Sequence, residues 1–143
     1  MEQAVTDALG RATVLVVDDD EGVTETFARA LRLEGYVVRT ARDAATGLRE
    51  ASHCGADAIL VDLRMPLMDG LGFLHRLRQQ DPGRSTPVAI VTGDYFIDDE
   101  LATELEGLGA TLRFKPIWLE DVVRLTQKLV TGPPFTAAGG SAA

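Results

Sequence analysis

Polar and apolar positions follow two rhythms along the chain. β-branched and aliphatic runs at Thr13–Val17, Ala58–Val61 and Pro87–Thr92 read as strands buried on both faces. Tyr36–Thr40 and Ala110–Phe114 read as two more strands. Between these runs, apolar residues recur at helical spacing. Val23, Phe27, Ala30 and Leu31 mark a first helix, which Gly35 stops. Ala44, Leu48 and Ala51 mark a second, capped by Asp43 and running to about Ser52. Leu71, Leu74 and Leu77 mark a third, which Asp81-Pro82-Gly83 breaks. Ile97, Leu101, Leu105 and Leu108 predict a fourth helix. Leu119, Val122, Val123, Thr126, Leu129 and Val130 predict a fifth. Strands alternating with helices in this way predict an α/β fold, a doubly wound five-stranded parallel sheet with five helices.

These elements occupy residues 12–131 as one domain. Residues 1–11 read as a flexible extension, and the Gly-, Pro- and Ala-rich stretch 132–143 as a disordered tail without a second domain. A chain of 143 residues with 45% hydrophobic content buries a full core without staples. Cys54 is the single cysteine, which excludes a disulfide framework and a Cys-based zinc site. The net charge of −8 argues against direct nucleic-acid binding by this chain, since phosphate contacts need a basic face. No apolar run approaches the ~20 residues that span a bilayer. Met1–Ala12 lacks a signal-peptide core, so a cytoplasmic protein without membrane contact is expected.

In open parallel sheets, ligands gather beyond the carboxyl ends of the strands. The first strand here ends in Asp18-Asp19-Asp20, the third in Asp62, the fourth in Thr92 and the fifth in Lys115. The Asp run stands where a phosphate-binding loop would carry glycines. Carboxylates, a hydroxyl and an ammonium thus converge on one sheet edge. Clustered carboxylates repel unless one protonates or a cation sits among them, and a hard oxygen-seeking ion such as Mg²⁺ resolves this. The same ion neutralises an incoming phosphoryl group beside a carboxylate nucleophile.

Four strings carry a resemblance: Val16-Val17-Asp18-Asp19-Asp20, Val61-Asp62-Leu63-Arg64-Met65-Pro66 with Met68-Asp69-Gly70, Val91-Thr92-Gly93, and Phe114-Lys115-Pro116. In these strings Asp62 follows Asp19 by 43 residues, Thr92 follows Asp62 by 30, and Lys115 follows Thr92 by 23. The chain resembles the receiver domain of two-component response regulators over roughly residues 12 to 131. The resemblance implies a flavodoxin-like, CheY-like fold. It implies that Asp62 accepts a phosphoryl group from a phosphohistidine of a sensor histidine kinase or phosphotransfer protein. It implies Mg²⁺ held by Asp18, Asp19, Asp62 and the backbone carbonyl of Arg64, with Thr92 and Lys115 contacting the phosphoryl oxygens. It implies a cis Lys115-Pro116 bond. Such a module is no turnover enzyme: it catalyses only its own phosphorylation and dephosphorylation, and it switches a downstream protein or a homodimer.

One departure stands out. Receivers commonly place an aromatic three residues before the lysine, and here that residue is Leu112, with Phe114 directly before Lys115. The resemblance therefore implies movement of the loop after Thr92 with a different aromatic readout. Arg64 and Asp94 each lie two residues beyond a site residue and are expected to pair across its mouth. His53 and His75 read as surface residues, Cys54 as a partly buried small residue, and Trp118 as an anchor of the last helix. A competing class is a metal-dependent phosphohydrolase of the haloacid dehalogenase type. Asp18-x-Asp20 resembles its opening motif, but the later acidic pair that such enzymes use for metal is missing after Lys115, and there is no cap-sized insertion.

Overall fold

A computed structural model describes residues 10–81 and 83–137. Its strands are β1 (Thr13–Val17), β2 (Val37–Ala41), β3 (Ala58–Val61), β4 (Val88–Thr92) and β5 (Ala110–Phe114). Its helices are α1 (Glu21–Leu33), α2 (Ala44–Cys54), α3 (Gly70–Leu77), α4 (Asp99–Gly107) and α5 (Leu119–Thr131). All strand pairs are parallel, in the order β2-β1-β3-β4-β5. The chain builds outward from β1 to β2 and then turns to the other side with β3, so the switch point lies between the ends of β1 and β3. Val17 pairs with Val61, which makes Asp18 and Asp62 leave the sheet side by side. Thr92 pairs with Phe114, which sets Lys115 beside Thr92.

Alternation along each strand feeds two cores. Leu15, Val17, Ile59, Val61 and Ile90 pack with Phe73, Leu74, Leu77 and Leu105 on one face. Val14, Val16, Leu60 and Val91 pack with Phe27, Leu31, Val122 and Leu125 on the other. Each such side chain contributes roughly 1.5–3 kcal/mol on burial. This double anchoring makes the strand ends a rigid frame for the loops that carry polar chemistry. Asp20, Asp43, Asp69 and Asp98 start α1 to α4 by accepting the N–H groups of Val23, Thr46, Gly72 and Leu101.

Several boundaries differ from the sequence pattern. β2 begins at Val37, one residue late, and α3 ends at Leu77 with Arg78 as its C-cap. Ile97 precedes α4, because the Asp98 side chain caps that helix, yet it still packs on the first core. In α5 the buried stripe is Val122, Leu125 and Thr126. Trp118 does not anchor that helix: it sits at the N-cap and is 77% exposed. The inward stripe starts one turn later, and the residue that turns out of the sheet faces solvent.

The tail also departs from expectation within 132–137. The Phe135 N–H donates to the Ser85 carbonyl at 3.0 Å. Its ring lies under the Arg78 guanidinium, 4.4 Å from the centroid. Gly109, with φ of +86°, leaves the space: a Cβ there would lie 2.2 Å from the ring. A Gly-, Pro- and Ala-rich composition marks the segment as loose, but a single aromatic finds this socket. Residues 1–9, Pro82 and 138–143, on which the expected extension, helix break and tail partly fall, lie outside the described residues. Among the described residues, no helix is long and apolar enough to cross a membrane.

Candidate functional site

The loops after β1, β3, β4 and β5 meet over the switch point. Asp18 and Asp62 are buried there, and Asp19 beside them is exposed. Asp18, Asp19 and Asp62 each place a carboxylate oxygen within 4.8 Å of one another. Asp20 takes no part, because its side chain is committed to capping α1. The Asp18 carboxylate accepts the Asp20 N–H at 3.0 Å, which holds the run of acids in a tight turn. An all-oxygen donor set of this kind suits a hard divalent cation.

Lys115 spans the site from the far strand. Its Nζ lies 2.7 Å from Asp18 Oδ2 and 3.9 Å from Asp62 Oδ1. Its main chain is fixed by an N–H bond to the Thr92 carbonyl at 2.8 Å, and the Lys115-Pro116 bond is cis. Burial, reinforced by the neighbouring Asp18 charge, pushes the Asp62 carboxyl above its ordinary range. Lys115, the Thr92 hydroxyl and the Leu63 N–H offset part of that rise. A carboxylate of raised basicity, held in place and only partly neutralised by one lysine, has the chemistry a nucleophile needs.

The rim is built by loop residues. Arg64 Nε donates to Asp94 Oδ2 at 2.5 Å across the mouth, the pair expected from their positions. The Phe96 N–H and then Arg64 hold the Asp94 carboxyl below its ordinary range. The Asp94 N–H in turn donates to Thr92 Oγ1 at 3.1 Å. In the β3–α3 loop, Leu67 takes a φ of +71° inside a tight turn closed by the Met68 N–H on the Pro66 carbonyl. A leucine in that backbone region is held against its own preference, and its side chain is fully exposed.

The sequence pattern placed Asp18, Asp19, Asp62, Thr92 and Lys115 at strand ends, and the fold brings all five together. It also carried an aromatic that the pattern did not single out. Tyr95, in the loop after β4, stacks on Phe114 with ring centroids 5.4 Å apart, and its hydroxyl donates to the Lys115 carbonyl. The available signal was the pair Tyr95-Phe96 directly behind Thr92-Gly93-Asp94. Leu112 packs half-buried against the first core. His53 and His75 are exposed, with bonds to the Arg49 carbonyl and to Glu104. Cys54 is half-buried, and burial pushes its thiol up.

A doubly wound parallel sheet with an acid cluster at its switch point and a lysine reaching across defines a class of signalling modules. The chain belongs to the response regulator receiver domain family, whose description matches residues 14–125. It is 37% identical over 128 residues to the transcriptional regulatory protein PrrA of Mycobacterium tuberculosis, covering 90% of this chain and 54% of that protein. It is 34% identical over 130 residues to the probable transcriptional regulatory protein TcrX of the same organism, covering 91% and 54%. The chain thus spans about half the length of these curated relatives. The solved structure of the chemotaxis protein CheY4 of Vibrio cholerae superposes with a TM-score of 0.77 at 31% identity, covering 83% of this chain and 98% of that one. The protein is therefore a receiver domain of two-component signal transduction.

Proposed function

We propose that Asp62 accepts a phosphoryl group from the phosphohistidine of a sensor histidine kinase or phosphotransfer protein, and that the resulting acyl phosphate switches a downstream protein in the cytoplasm. The observation that carries this reading is the Asp62 carboxylate, buried at the switch point with Asp18 and Asp19 within 4.8 Å and Lys115 Nζ at 3.9 Å. A carboxylate oxygen attacks phosphorus, the phosphorus–nitrogen bond of the donor breaks, and the imidazole leaves with its electron pair and takes up a proton. The Asp18, Asp19 and Asp62 carboxylates and the Arg64 carbonyl are the groups that would hold Mg²⁺. When bound, Mg²⁺ supplies positive charge against the phosphoryl oxygens. Lys115 leaves its bond to Asp18 to pair with a phosphoryl oxygen, and the Thr92 hydroxyl turns from Asp62 to bond another. The acidic surface favours a protein as the downstream partner, or a second copy of this chain, over nucleic acid.

Incubation with acetyl phosphate and Mg²⁺ tests the reading. Intact mass should rise by one phosphoryl group, the label should map to Asp62 and be labile to hydroxylamine, and a chelator should prevent it. Absence of the mass shift, or a label on another residue, would end the reading. Steady turnover of a phosphomonoester would favour a phosphohydrolase instead.

The Arg64–Asp94 pair roofs the site, and the same reading gives it a role in excluding water from the acyl phosphate. Being exposed, it contributes little to stability. Arg64→Ala and Asp94→Ala are each expected to shorten the adduct lifetime several-fold, read from the decay of the mass-shifted species after donor removal. Unchanged lifetimes in both variants would remove the roof from the mechanism.

A further inference from the structure

The loop between β4 and α4 has two attachments to the site, and they differ in kind. At its start, Thr92 Oγ1 accepts the Asp94 N–H at 3.1 Å and hydrogen-bonds Asp62. Further along, Tyr95 reaches over to the end of β5, where its ring stacks on Phe114 at an interplanar angle of 21° and its hydroxyl donates to the Lys115 carbonyl. The Lys115 backbone is therefore gripped from both sides, by the Thr92 carbonyl through its N–H and by Tyr95 through its C=O. On the phosphoacceptor reading, Thr92 and Lys115 are the two groups that meet a phosphoryl oxygen, each from one of two adjacent strands. Tyr95 is the side chain that joins the loop following one to the strand end carrying the other.

We propose that Tyr95 is a positioning residue that makes the Thr92 loop and Lys115 move as one unit. The proposal rests on the phosphoacceptor reading of Asp62. Turning the Thr92 hydroxyl toward a phosphoryl oxygen takes an acceptor away from the Asp94 N–H and frees the start of the loop. The Tyr95 ring and hydroxyl then carry the loop's displacement into Phe114 and Lys115. Leu112 has no polar tip and is packed against the first core with Ile97 and Leu101, so it offers no such link. Tyr95, Phe114 and the 92% exposed Phe96 are all open to solvent. Moving this unit therefore remodels aromatic surface that a partner can read.

Three variants separate the contributions. Tyr95→Phe keeps a ring for the stack and removes the hydroxyl bond. Tyr95→Leu removes both, and Phe114→Leu removes the other ring. The probe is beryllofluoride with Mg²⁺, followed by amide exchange over residues 93–97 and 113–117, with thermal melts as a folding control. In the wild type, both segments should change protection over the same range of beryllofluoride concentration. In Tyr95→Leu, the half-saturating concentration should rise by roughly tenfold and the response of 113–117 should be lost while 93–97 still responds. Tyr95→Phe should fall between the two, and Phe114→Leu should resemble it. Wild-type half-saturation with both segments still linked in Tyr95→Leu would overturn the proposal and leave the Asp62 reading standing. A wild type that takes no beryllofluoride at all would overturn the Asp62 reading, and this proposal with it.

Discussion

Asp62→Asn is expected to abolish acetyl-phosphate labelling and, in chelator, to raise the melting temperature by a few degrees. The first effect is chemical, because a carboxamide oxygen is too weak a nucleophile to form the acyl phosphate. The second follows from the site's electrostatics. The Asp62 carboxylate is buried and faces the Asp18 charge, while Lys115 sits closer to Asp18, at 2.7 Å, than to Asp62, at 3.9 Å. Its ionised form is therefore held at a cost to the metal-free fold, and Asn removes the charge at nearly constant volume.

The sign with pH is determinate. The native Asp62 carboxyl releases its proton at higher pH than the unfolded chain does. Above the ordinary carboxylate value, the native state then binds more protons than the unfolded state. Asp62 therefore lowers stability as pH rises through that value toward the native one, and the deficit persists at neutral pH. Asp62→Asn has no such dependence, so the two melting curves should converge in acid and separate toward neutrality. Added Mg²⁺ should close the gap by stabilising the wild type more than the variant. A variant less stable than the wild type in chelator at neutral pH would contradict this account.

Strand ends were legible because a strand buried on both faces leaves an uninterrupted apolar run, and the first polar residue after it marks the sheet edge. Asp18 and Asp62 are such residues, and Thr92 closes the apolar run of β4, whereas Lys115 follows an edge strand that is half-exposed and holds Thr111 and Arg113. Parallel pairing then set their neighbours, since Val17 beside Val61 and Thr92 beside Phe114 leave the following residues adjacent. What stayed hidden depends on how loops bend between strands. Tyr95 meets Phe114 only because the loop after β4 folds toward β5, which no period in the sequence encodes. Phe135 seats against Arg78 and Gly109, residues from two distant turns whose shared socket exists only once the domain is assembled. Trp118 misled for the opposite reason: its size suggests burial, yet the corner from β5 into α5 turns it outward.

Gly70→Ala is expected to cost roughly 2–3 kcal/mol of stability and to slow labelling of Asp62 well beyond what that loss of fold explains. Gly70 is the first residue of α3, and its N–H donates to the Leu63 carbonyl at 2.7 Å. A Cβ at this position would stand 2.6 Å from the Asp62 carbonyl oxygen and 2.9 Å from Leu63 Cα. Both are backbone atoms, so no flexible side chain can yield. β3 cannot retreat either, because β1 and β4 hold it on both edges and both of its faces are buried. The added methyl must instead push the start of α3 and the Asp62–Leu63 peptide apart. That peptide carries the proposed phosphoacceptor, and the Leu63 N–H is one of the groups that steady its carboxylate. A displacement near 1 Å at a reacting group costs on the order of a hundredfold in rate. Gly107→Ala is the matched control, since a Cβ there meets nothing within 4 Å and lies in the last turn of α4. It should leave both the melting temperature and the labelling rate near wild type. If Gly70→Ala behaves like this control, the close packing of α3 on the Asp62 backbone is not what holds the carboxylate in place.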